Sequence, residues 1–150
     1  FAAADLPAVP PPRITRCPPP PWGVVVINSH MQSSTAEMIA IAEKNPDHSR
    51  LFDEIGALTE EVSQHLNDVH IVGPLLTKNH TLLQKLGVSN ATLDHYVSCA
   101  LSAGAVGAKL SGSGGGGVVI ALSHDAEHLA STLRAQALDA FACHSTGGNP

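Results

Sequence analysis

Aromatic side chains are scarce. Phe1, Trp22, Phe52, Tyr96 and Phe141 make up 3% of the 150 residues, so a core drawn from the 43% apolar fraction must be aliphatic. Charge is scarce as well, at 14%, well under the usual quarter. Lys plus Arg number 8 against 13 Asp plus Glu, a net charge of -5 with the nine His neutral. Binding a phosphate backbone needs clustered Lys and Arg, so no nucleic-acid partner and no polybasic membrane anchor is expected. No apolar run approaches the length of a membrane-spanning helix. The cysteines, Cys17, Cys99 and Cys143, are odd in number and far apart, without a C-x-x-C pair. That speaks against a disulfide framework or zinc ribbon and for a reducing compartment. Residues 1–9 carry neither a basic segment nor an apolar one, so they are not a secretory signal, and the chain is expected to start inside a longer protein.

The length suits one domain. Residues 1–22 hold most of the eleven prolines and cannot form a helix or a central strand. They read as a Pro-rich extended connector, with a ligand for an aromatic groove as the alternative. A domain is expected over 23–150. Val24-Val25-Val26-Ile27 reads as a buried strand. Ser34 and Glu37 stand at capping-box spacing ahead of a helix that Asn45-Pro46 stops. Leu51, Ile55, Leu58, Val62 and Leu66 form one apolar helical stripe, and Val72 through Leu86 another, closed by Gly87. Ser89 is the expected cap of a further helix bearing Leu93, Val97, Ala100 and Leu101. Strands are expected over 105–110, 118–122 and 137–143, with a helix between Asp125 and Gln136. This order is an α+β, ferredoxin-like βαββαβ sandwich with extra helices in the first crossover.

Ser111-Gly112-Ser113-Gly114-Gly115-Gly116-Gly117 is the strongest local feature. It formally fits G-x-G-x-x-G, but a strand follows it instead of a helix, and no acidic residue stands about twenty positions on. No Gly-Lys-Ser or Gly-Lys-Thr marks a Walker loop. A hairpin turn needs one or two glycines; each extra one costs about 0.5–1 kcal/mol of ordering entropy. Side-chain-free N–H groups can instead surround an anion, and a loop next to phosphate competes with the plain-turn reading. Lys109 on the incoming strand reads as an ordinary exposed lysine.

His124-Asp125-Ala126-Glu127-His128 fits H-x-x-E-H. It lacks a third ligand, and its residues also suit a helix start, so no metal site is assigned. His65 and His70 read as loop histidines, Asn79 and His80 as a helix–helix contact. Cys99 and Cys143 read as small core fillers, and Glu54, Glu60 and Glu61 as a solvated helix face.

Taken together, Gly107 to Gly117 closely resembles the third motif of the GHMP kinases. Asn79-His80-x-Leu82-Leu83-x-x-Leu86-Gly87-Val88-Ser89-x-x-x-Leu93-Asp94 resembles the helix pair before that motif in the mevalonate kinase branch. Val24 to Asn28, followed by Ser34-Thr35-Ala36, resembles the start of the C-terminal domain. The resemblance covers about residues 23–145. Ser113 stands where the family often has Ala, and Val118 where it often has Cys. The resemblance implies ATP-dependent phosphorylation of mevalonate in isoprenoid precursor synthesis, with Mg2+; phosphomevalonate or sugar kinases and a non-catalytic binding module of the same fold are the alternatives. It implies that Ser111 to Gly117 face the ATP phosphates and that Thr35 lies near substrate, although on the residues alone Ser34 and Thr35 read as a helix cap. The family's catalytic residues and Mg2+ ligands belong to an N-terminal domain and are not visible in this sequence. That domain is the expected partner, with a homodimer as a further one, and no kinase activity is expected of these residues alone. A cytoplasmic location is expected, with an organelle as the alternative.

Overall fold

The computed structural model describes residues 19–143; Cys17 and most of the expected Pro-rich connector lie outside them. The order is β1 (Gly23–Asn28), α1 (Thr35–Lys44), α2 (His48–Gln64), α3 (Val69–Leu86), α4 (Ala91–Ser102), β2 (Gly107–Ser111), β3 (Val118–Ser123), α5 (Ala126–Ala135) and β4 (Asp139–Cys143). The four strands form one antiparallel sheet in the order β2-β3-β1-β4. This is the expected βαββαβ arrangement. Each crossover skips one strand, and α1 to α4 fill the first.

Alternation along the strands divides the core. Val25, Ile27, Ala108, Leu110, Val119, Ala121 and Ala140 turn to one face, where α4 supplies Leu93 and Val97 and α5 supplies Leu129 and Leu133. Each large aliphatic residue buried there contributes about 1.5–3 kcal/mol. Leu122 turns the other way and packs with Val69 and Val72 of α3 beside Trp22, whose indole donates to the Leu66 carbonyl at 2.9 Å. Helices α1 to α3 share a third cluster around Leu51, Leu58, Leu82 and Leu86.

Edge strand β2 is covered by α3. At their crossing two glycines meet: a Cβ on Gly107 would stand 1.9 Å from the Gly73 carbonyl oxygen. So close an approach lets side chains of α3 reach the strand's outward N–H groups. Ala108 N–H donates to Thr77 Oγ1, and Leu110 N–H to His80 Nδ1, both at 3.3 Å. An edge strand thereby loses its unpaired donors.

Several boundaries differ from the sequence-based expectation. Asn90, not Ser89, caps α4, accepting from Leu93 N–H at 3.0 Å; Ser89 donates to Asp94 Oδ1 instead. Strand β4 begins at Asp139 because Ala137 takes φ 62° at the end of α5, where Leu138 N–H bonds back to the Leu133 carbonyl. Leu66 falls beyond α2. Helix α3 starts at Val69 and carries Pro74 in its second turn, so His70 belongs to a helix and not to a loop. Cys143 is exposed, because it ends an edge strand. Cys99 is half-buried against the core, with its Sγ 3.5 Å from His95 Nε2 one turn earlier. Lys109 is half-buried, with its amine pushed below the ordinary lysine pKa by burial.

Candidate functional site

Three connections converge at one end of the sheet: the segment between β1 and α1, the β2–β3 loop, and the turn between α3 and α4. The register makes this unavoidable. Asn28 at the end of β1 pairs with Val118 at the start of β3, and Val118 pairs with Ser111 at the end of β2. The glycine loop therefore hangs over the start of α1.

Two of its five glycines, Gly114 and Gly116, are required by the protein's own backbone, and Gly115 is pressed against a side chain. A Cβ on Gly114 would stand 2.1 Å from the Val88 carbonyl oxygen, one on Gly116 2.5 Å from that of Met31, and one on Gly115 2.7 Å from Met38 Sδ. Gly115 N–H donates to Val88 O at 2.8 Å and Gly117 N–H to Met31 O at 2.9 Å. The carbonyls are held as well. Ser33 Oγ donates to Gly114 O, Asn90 Nδ2 to Gly115 O, and Ser29 Oγ to Gly117 O. Half of the loop is thus a clamped scaffold, which a count of glycines does not reveal.

The other half faces outward. Gly112 is exposed at φ 96°, and a Cβ there would have nothing within 4 Å. Beside it, Ser113 Oγ lies 3.4 Å from Thr35 Oγ1. The structure therefore brings Thr35 and the loop together across 78 residues of sequence. Thr35 is the first residue of α1, and Ser34 is the cap, accepting from Glu37 N–H at 3.4 Å. The N-terminus of α4 borders the same loop through Asn90. Helix N-termini favour anions, and two of them flank this loop. An apolar cleft of about 300 Å³ opens next to Gly112 and Ser113, walled by Met38, Ile39, Phe52 and Leu86.

A residue pattern that sequence reading undervalued braces the loop from behind. His80 is 4% exposed. Its Nδ1 accepts from Leu110 N–H, so its Nε2–H donates to Asp94 Oδ1 at 3.1 Å. Ser89 Oγ donates to the same carboxylate oxygen at 2.5 Å. Burial holds the imidazole below its ordinary pKa, against the opposing pull of Asp94. One neutral tautomer satisfies both neighbours, and the chain of bonds ties α3, α4 and the strand leading into the loop. Ser, Asp and His meet here with the carboxylate in the middle, so no hydroxyl faces a base and the group is a brace. Asn79 beside it leaves its buried Oδ1 without a partner.

Residues 55–140 match the model of the family described as GHMP kinases C terminal. The chain belongs to this family. A mevalonate kinase of Thermococcus onnurineus is 35% identical over 112 residues, which is 67% of this chain and 34% of that protein. The crystal structure of Methanococcus jannaschii mevalonate kinase superposes with a TM-score of 0.72 at 30% identity, covering 82% of this chain and 39% of that one. Mevalonate kinase of L. major, solved in complex with R-mevalonate, gives 0.74 at 24% identity, covering 85% and 44%. The chain thus spans about a third of the length of the curated relative it matches. As a GHMP kinase C-terminal domain it carries the expected fold.

The side chains that bond to the loop are the hydroxyls of Ser29, Ser33 and Thr35 and the amide of Asn90, and Glu43 lines the cleft beside it. Mg2+ is normally held by one or two carboxylates with water and phosphate oxygens. Among the described residues no group of three or more His, Cys, Asp or Glu has metal-holding geometry. No carboxylate of the described residues bonds to the loop itself, and no step is assigned to the ion. No helix of the described residues is long and apolar enough to cross a membrane.

Proposed function

We propose that the chain is the C-terminal portion of an ATP-dependent small-alcohol kinase of the GHMP family, with mevalonate as the substrate. The observation that carries this reading is the meeting of the outward half of the glycine loop with the start of α1, at Ser113 and Thr35. Phosphoryl transfer is mostly positioning and charge stabilisation. Gly112 and Ser113 present backbone N–H groups to an anion, and Ser111 and Ser113 add hydroxyls. Gly114 to Gly117 fix the height of that edge over the helix. Thr35 lies on the substrate side. The nucleophile's base and the Mg2+ ligands come from a separate N-terminal domain, which packs over this end of the sheet. Phosphomevalonate and sugars are the competing substrates.

The test is a substrate panel on the complete protein, followed by ADP release. Turnover with mevalonate and not with phosphomevalonate or galactose is expected. Turnover with a sugar alone would overturn the substrate assignment. The 150-residue chain by itself is expected to release no ADP with mevalonate and ATP.

A further inference from the structure

We propose that His70 and His124 form a two-imidazole site for a borderline divalent transition-metal ion of the Zn2+ type. The two residues come from different elements, 54 positions apart. His70 lies in the first turn of α3, and His124 follows the last residue of β3. Their Nε2 atoms stand 3.3 Å apart, with ring centroids 5.0 Å apart and planes inclined at 45°. Two imidazole nitrogens on one tetrahedral centre, with bonds of about 2.0–2.1 Å, lie roughly 3.3–3.4 Å apart. The observed separation is therefore the edge that a tetrahedral ion requires.

Without metal, one neutral ring donates its Nε2–H to the other's lone pair. An ion takes the place of that single proton and engages both Nε2 lone pairs; the donating ring shifts its proton to Nδ1 by exchange with solvent, so both ligands stay neutral imidazoles and no proton is released overall. Both rings are exposed, so the ion has access and water completes its shell. No third His, Cys, Asp or Glu joins them with metal-holding geometry among the described residues. Imidazole suits Zn2+, Cu2+ and Ni2+, while Mg2+ prefers oxygen.

The pairing also changes what the H-x-x-E-H pattern over 124–128 means. His128 lies in the first turn of α5, where its N–H bonds to the capping Asp125 carboxylate. His124 meets His70 instead. The site sits at the opposite end of β3 from the glycine loop, over the cluster of Val69, Val72 and Leu122. A bound ion staples the start of α3 to the β3–α5 turn.

The experiment is calorimetric titration of the untagged full chain with ZnCl2, alongside His70→Ala, His124→Ala and His128→Ala. One ion per chain is expected. Affinity should fall by about tenfold or more in the first two variants, a loss at least as large as that of a supporting residue. His128→Ala should bind as wild type, and MgCl2 should give no binding heat. Absence of Zn2+ binding, binding unchanged in both His70→Ala and His124→Ala, or an equal loss in His128→Ala would each overturn the proposal. Should a variant fail to fold, imidazole nitrogen NMR of the wild-type chain decides. Zn2+ should move the Nε2 signals of His70 and His124, and movement at other histidines alone would contradict the site.

Discussion

His80 is the residue on which the loop's support most depends. Replacing it with Leu leaves the buried Leu110 N–H without its partner, while the partly exposed Asp94 carboxylate keeps Ser89. Leaving that donor buried and unmet costs about 1–3 kcal/mol, to be read as a lower urea midpoint. Its titration has a definite sign. The folded pKa lies below the ordinary 6.5 because of burial. Between 6.5 and that lower value the unfolded chain holds a proton that the folded chain does not. The contribution of His80 is therefore complete above about pH 6.5, is lost as pH falls through that window, and changes no further below the folded pKa. The urea midpoint should fall more steeply from pH 7 to pH 5 in wild type than in His80→Gln. Equal slopes would contradict a buried neutral imidazole. A second residue-scale contrast lies within the loop. Gly112→Ala meets only the strain of positive φ, about 1–2 kcal/mol. Gly114→Ala adds a clash with the Val88 carbonyl, raising the cost by about 1–3 kcal/mol. Comparison of the two melting temperatures checks this, and equal losses would show that the loop is not clamped at Gly114.

At the scale of elements, the seam between α3 and β2 carries the glycine loop. Gly107→Ala puts a methyl into the Gly73 carbonyl and forces the helix away from the strand edge. The expected result is a loss of about 1–3 kcal/mol and faster hydrogen exchange at Ala108 and Leu110, whose bonds reach across that seam. Unchanged protection of those two amides would mean that α3 does not guard the edge. This seam was not legible in the sequence. Caps and apolar stripes announced the helices, and His80 makes the expected helix–helix contact through Asp94 of α4, but nothing at Thr77 or His80 announced the strand edge that they also serve. Caps were half legible. Ser34 and Gly87 act as their residue types suggest. Ser89 and Asn90 are both good caps, and only the position of Asp94 sends Ser89 elsewhere. Ala137 takes the left-handed turn that usually falls to glycine, so nothing in its identity announced the late start of β4.

At the scale of the molecule, the topology followed from element order alone, because strand periodicity and two crossovers leave few arrangements for four strands. The glycine loop was legible as unusual but not in its division of labour. Gly114 to Gly116 answer to Val88, Met38 and Met31, residues distant in sequence, while Gly112 and Ser113 are left facing the start of α1. On the proposed function, that division makes the chain one wall of a site. The described residues contribute hydroxyls, backbone donors and two helix N-termini there, while the base and metal ligands belong to the proposed N-terminal domain. The most direct test is a chimera in which residues 23–143 replace the matching C-terminal part of the Thermococcus onnurineus mevalonate kinase. ADP release dependent on both ATP and mevalonate, lost in the same chimera carrying Gly114→Ala, is the expected result. A chimera that folds and binds both substrates but releases no ADP would contradict the account.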